Sequence, residues 1–152
     1  MAVLAKDWVV NGILNLNAGR PFTITSADSA GTGQGRISRA NCVGDPVPDG
    51  FNQTLDAWFD INAFRAPAAG TYGTCGANSV CGPSSKSMNL SVFRSVPLGA
   101  RRLELRFETF NLFNWVNYGF PAASVANLNT FGRISSTLGD PREIQLAVKF
   151  YF

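Results

Sequence analysis

The side chains with chemical capacity are three cysteines, scattered carboxylates and a group of aromatics, and no histidine accompanies them. The lack of histidine removes Ser/His/Asp and Cys/His nucleophile systems and the commonest metal ligand together. Cys42, Cys75 and Cys81 fall in one Gly-rich region, and their irregular spacing does not make a zinc site, which typically uses four ligands. An odd number leaves at least one cysteine unpaired or joined elsewhere. Cys75 and Cys81 could close a small loop in an oxidising compartment; free loop cysteines are the equal alternative. Glu104 and Glu108 share a strand face with Arg102 and Arg106, where an ion-pair ladder fits the alternation better than a catalytic carboxylate pair. Asp45, Asp49, Asp56 and Asp60 could offer oxygen ligands to calcium, but their spacing matches no known calcium loop, and a solvated acidic loop is the default. Gly31, Gly33 and Gly35 are followed by no Lys-Ser/Thr pair and read as loop flexibility. The aromatics Phe51, Trp58, Phe59, Phe64 and Tyr72 either pack a loop onto itself or form a solute-binding surface. In the second case Trp58, Phe59, Phe64 and Tyr72 are the candidate contacts. No enzyme and no cofactor is expected.

Composition narrows the class. Charged residues are 15% of the chain and hydrophobic ones 45%, against about 25% charged in a typical soluble domain. Asn, Ser, Thr and Gly fill the gap, which suits strands and loops more than helices. A net charge of +3 without a basic patch gives no footprint for nucleic acid. No run of about 18 apolar residues offers a transmembrane helix. Met1 to Lys6 lacks the basic and apolar regions of a secretory signal, so a membrane reading expects further sequence upstream.

The elements that position these residues alternate with period two. From Lys6 to Ala18 the even positions Trp8, Val10, Leu14 and Leu16 are apolar, while Asn11, Asn15 and Asn17 mark the odd ones. After Gly19-Arg20-Pro21, the stretch Phe22 to Thr25 could extend that strand. Residues 27–85 lose periodicity, with only Leu55 to Phe64 suited to a local turn or helix. Alternation returns over Lys86 to Leu98, where Met88, Leu90, Val92, Val96 and Leu98 share a face that also carries Arg94. A tight connection at Gly99 and Ala100 leads into Leu103, Leu105, Phe107 and Thr109, backed by Arg102, Glu104, Arg106 and Glu108. Beyond Thr109 the phase blurs, as at an aromatic belt or a bulge. A second irregular connection follows, and the last run sets Ile144, Leu146, Val148, Phe150 and Phe152 against Glu143, Gln145, Lys149 and Tyr151.

Half-buried soluble sheets also alternate. Here each run is about 10 to 12 residues, enough for a tilted strand to cross a bilayer, whereas soluble strands average about 5 to 6. The connections run long, short, long, with 27–85 and 114–140 as extracellular loops, and aromatics gather near strand ends. The expected fold is all-β: about four long antiparallel strands of a transmembrane β-barrel in the cell outer membrane, in contact with outer-membrane lipid. Arg102, Glu104, Arg106, Glu108 and Lys149 are then lumen-facing, and antiparallel pairing sets Glu104 near Lys149. Four strands leave open edges in hydrocarbon, so residues 1–152 are expected to be part of a larger barrel. The alternatives are a structural or adhesion barrel assembled from short chains, and a secreted β-sandwich binding module.

Several motifs in order carry a resemblance: Gly19-Arg20-Pro21-Phe22-Thr23, Trp58-Phe59-Asp60 with Ala63-Phe64, Gly82-Pro83, Arg106-Phe107-Glu108 with Phe110-Asn111-Leu112-Phe113-Asn114, Phe131-Gly132-Arg133-Ile134, and Pro141-Arg142-Glu143-Ile144-Gln145 leading to Phe152. With them the chain resembles the C-terminal portion of TonB-dependent outer-membrane receptors of the Oar-like, acidobacterial type. The resemblance implies a barrel of about 22 strands with a plugged lumen, taking up a large or scarce solute. It also implies partners: the rest of the barrel and the plug domain, the TonB complex through an N-terminal region absent here, and the barrel-assembly machinery. That machinery would read the row Ile144, Leu146, Val148, Phe150 and Phe152.

Overall fold

The computed structural model describes residues 6–31 and 38–152; residues 1–5, and Gly33 and Gly35 of the glycine patch, lie outside that description. Among the described residues there are ten strands: β1 (Trp8–Asn17), β2 (Pro21–Phe22), β3 (Thr25–Ser26), β4 (Ser38–Arg39), β5 (Asn41–Cys42), β6 (Phe64–Arg65), β7 (Val80–Cys81), β8 (Ser85–Leu98), β9 (Arg101–Phe110) and β10 (Glu143–Tyr151). They divide between two compact units.

The first unit is a four-stranded antiparallel sheet in the order β1-β8-β9-β10. Long strands form because β-branched and apolar residues recur at every second position, so one face is mostly apolar, with Lys86 and Arg94 toward the two ends of its row on β8. The register confirms a single apolar row across the sheet: Val10 lies opposite Val92, Val92 opposite Phe107, and Phe107 opposite Leu146. These apolar side chains stay uncovered: Leu16 is 68% exposed, Leu146 76% and Val148 67%. In water such a face would be an aggregation hazard; it is what a barrel wall presents to lipid. Between β8 and β9 the two-residue connection has Gly99 at φ 66, the positive φ that tight hairpin turns need at their first central position.

The second unit comprises Ala18–Ser84 and Tyr118–Thr137. Phe22 to Thr25 does not extend β1. Pro21–Phe22 pairs with Val80–Cys81, and Thr25–Ser26 with Ser38–Arg39, because the chain departs at a backbone crossing. A Cβ on Gly19 would lie 1.9 Å from the Gly82 carbonyl oxygen, and the Gly82 amide donates to the Arg20 carbonyl at 2.9 Å. The irregular segments are thus not open loops but a folded unit whose core holds Ile24, Ala40, Phe59, Phe64, Val80 and Phe131. Phe59, Phe64 and Phe131 meet edge to face with centroids 5.0, 5.5 and 6.0 Å apart, the geometry that aromatic quadrupoles favour. Within Leu55 to Phe64 only Ile61–Ala63 is helical, a 3₁₀ turn capped by the Asp60 side chain, which accepts from the Asn62 amide.

The disulfide differs from the Cys75–Cys81 loop considered from sequence: Cys42 bonds to Cys75, and Cys81 is free and exposed. The backbone explains the choice. The Cys75 amide donates to the Ala40 carbonyl at 2.9 Å, and the Thr74 amide donates to Asn41 Oδ1 at 3.0 Å, which brings Cys75 to β5. Cys81 is held elsewhere by its pairing with Pro21 and by Trp58 Nε1 donating to its carbonyl.

Removing this cross-link with the double substitution Cys42→Ala, Cys75→Ala should destabilise the second unit by about 3–4 kcal/mol, the loop-closure value for its 33-residue separation. Limited proteolysis against denaturant reads this directly, and an unchanged protection midpoint would contradict the pairing.

Candidate functional site

The face opposite the apolar row is polar and falls into two halves. Toward the hairpin end, the register lines up Ser95, Glu104 and Lys149, then Ser91, Glu108 and Gln145, on neighbouring strands. Lys149 is therefore directly opposite Glu104, as the alternation predicts. Arg106 Nε donates to Glu104 Oε1 two residues away on the same strand, and Ser91 Oγ donates to Glu108 Oε1 at 3.3 Å. Each arginine also lies over a cross-strand ring: Arg106 over Phe93 at 4.9 Å and Arg102 over Tyr151 at 4.2 Å. Arginine suits this role because its planar guanidinium can stack while its edge donates to a carboxylate. Arg102, Glu104, Arg106, Glu108 and Lys149 thus occupy one surface.

Toward the other end the polar face is built from amides and hydroxyls. Asn15 Nδ2 donates to Ser87 Oγ at 3.3 Å, and Asn17 Nδ2 to Ser85 Oγ at 3.4 Å. An open cleft of about 410 Å³ lies there, lined among others by Ser85, Ser87, Asn89, Asn111, Asn117 and Glu143. Two asparagines hold its walls. Asn117 accepts from the Lys86 amide at 2.8 Å and donates to the Lys86 carbonyl at 2.9 Å, so its side chain continues the β8 ladder. Asn111, with φ 50 and 8% exposure, accepts from the Trp115 amide and donates to the carbonyls of Trp115 and Asp140. Its own amide donates to Asn89 Oδ1 at 3.0 Å. The strand ends at Phe110 because the left-handed conformation at Asn111, which asparagine tolerates best among non-glycine residues, turns the chain out of the ladder. Neither asparagine stood out in the alternation pattern. The signal was its loss of phase after Thr109.

The apolar row holds Ile144, Leu146, Val148 and Phe150 on β10; Phe152 follows, with its ring 6.2 Å from that of Phe150. Of the loop aromatics considered as solute contacts, Phe59 and Phe64 are corrected to core residues, 1% and 2% exposed, because the three-ring cluster consumes their faces. Trp58 packs against that core and has its indole N–H engaged; Tyr72 is exposed at 75%. The acidic residues disperse. Asp45 Oδ1 accepts from the Val47 amide, Asp60 caps the 3₁₀ turn, and Asp56 pairs with Arg133 at 2.6 Å. Among the described residues, no group of three or more His, Cys, Asp or Glu side chains could hold a metal ion.

The family described as outer membrane beta barrel domain matches residues 1–145. The chain belongs to this family. No curated protein and no solved structure matches it. An outer membrane beta barrel domain resides in the outer membrane, and its sheet is a section of barrel wall. β1 and β10 are the edges of this sheet, and in hydrocarbon both must pair with further strands.

Asn111→Ala should destabilise the sheet by about 2–3 kcal/mol, since it strips partners from buried backbone groups and puts a Cβ residue without a polar side chain at positive φ. Urea unfolding followed by the heat-modifiable gel shift of the folded barrel measures it; a loss under about 0.5 kcal/mol, the scale of an ordinary surface change, would refute the clamp.

Proposed function

We propose that this outer membrane beta barrel domain is the C-terminal wall of a TonB-dependent receptor of the Oar-like type, which takes up a large or scarce solute. The observation that carries the reading is the composition of its polar face: a charged, stacked ladder that gives way to an amide-lined cleft. A water-filled or plugged lumen calls for a polar wall, and charge at mid-bilayer on the lipid side would cost about 2–4 kcal/mol for each Arg or Lys. Arg102, Glu104, Arg106, Glu108 and Lys149 therefore face the lumen, where a plug domain would dock. Leu103, Leu105, Phe107, Leu146 and Val148 face lipid. The long connections lie outside the cell, so β1 and β9 run outward while β8 and β10 run inward. The motifs behind the resemblance support this reading, since they form the nodes of the fold: the Gly19–Gly82 crossing, the phenylalanine cluster and the Asn111 turn. In this reading the exposed row on β10 is what the barrel-assembly machinery engages. Energy comes from the TonB complex, and the wall performs no catalysis.

Cys81 tests the orientation. Its thiol is free and exposed, so a membrane-impermeant maleimide should label it on intact cells. Labelling only after the outer membrane is permeabilised would reverse the wall. The receptor assignment is tested by recovering the complete reading frame: an upstream plug domain and TonB-contacting segment are expected, and a frame without them would overturn it.

A further inference from the structure

Lys86 stands in the same alternating row as Met88, Leu90 and Val92, at the end of β8 where the long connection joins. Its backbone is fixed, since the Asn117 side chain holds both its amide and its carbonyl. Its ammonium lies 4.8 Å from the centroid of the Trp115 ring, and Trp115 in turn packs on Phe113 at 4.7 Å. The turn at Asn111 is what carries Phe113 and Trp115 to this place. A matching pair stands at the other end of the same row, where the Arg94 guanidinium lies 5.5 Å over the Trp8 ring.

The separation of these two pairs gives them meaning. Lys86 and Arg94 are eight residues apart on one strand, about 26 Å at about 3.3 Å per residue. A strand tilt of about 40° leaves about 20 Å along the membrane normal, close to the apolar band of about 25 Å in outer-membrane barrels. The two cations thus sit at opposite rims of the lipid-facing surface, each beside a tryptophan, the residue favoured at that depth. Among the described residues the Lys86 ammonium makes no ion pair. Stacked on a ring, it keeps donors free for an anion. We propose that Lys86, with Trp115 and Phe113, forms a site on the lipid-facing side of the wall for the phosphate group of a phosphorylated outer-leaflet glycolipid. The ammonium pairs with the phosphate, and the two rings pack against the first carbons of the acyl chains. The site depends on the orientation given above for its leaflet, not on the receptor reading.

Lipid A is the probe. The complete closed barrel that contains this wall, folded into zwitterionic nanodiscs, is titrated with diphosphorylated lipid A and with its dephosphorylated form, and bound lipid is counted by native mass spectrometry. The phosphorylated form should bind more tightly. Lys86→Gln should weaken that binding about fivefold, the effect of one basic side chain beside an anionic membrane surface. Lys86→Arg should retain it, and Lys6→Gln, the same charge change at the far end of β1, should leave it intact. Equal binding of the two lipid forms, or wild-type affinity in Lys86→Gln, overturns the proposal. The Cys81 labelling result reports separately on orientation, so a failure there is distinguishable from failure of the site.

Discussion

Everything in the sheet depends on the pairing of backbone groups in a medium that offers no substitute for them. An unpaired amide or carbonyl in hydrocarbon costs several kcal/mol, so long strands in continuous register are the only arrangement open to this segment. Because side chains alternate, a slip of one residue would exchange the apolar row of a strand with its polar one. The row from Val10 through Val92 and Phe107 to Leu146 shows that all four strands obey one phase. The polar ladder is the other side of the same constraint: once the apolar row is fixed, Glu104 has no place to go except opposite Lys149.

The second unit is built differently. Its named strands are two residues each, too short to organise a chain by ladder alone. Order comes instead from a disulfide, a cluster of three mutually perpendicular rings, and side chains that cap turns, such as Asp60 and Thr54. Such a unit can carry polar, Gly-rich sequence at the surface without losing its shape, because few residues bear the packing. The residues that do are aromatic and lie close to glycines that let the backbone approach.

This contrast explains what could be read from sequence. Period two is a local signal, so the long strands and even the Glu104–Lys149 pair followed from counting. The fate of the cysteines did not. Cys75 and Cys81 are near in sequence, but the partner of Cys75 is fixed by Ala40 and Asn41, more than thirty positions away, and no local pattern encodes that. Phe59 and Phe64 looked equally fit for solute or for core, since an aromatic side chain serves both; only the arrival of Phe131 from the far connection decides it. Asn111 and Asn117 act through backbone-like hydrogen bonds that any asparagine could make, so composition alone left them unmarked. The break in alternation after Thr109 located them without saying what they do.

The crossing of Gly19 and Gly82 has a consequence for how such a wall diversifies. With the two backbones in contact, the connection between them begins and ends at nearly one point, whatever its length. Loops with adjacent ends tolerate insertion and replacement. The strand pair β1 and β8 would not register an exchange of the material between them, provided both glycines remain. The crossing therefore works as a mounting bracket: the register of the strand pair and the content of the segment between the two glycines can vary separately.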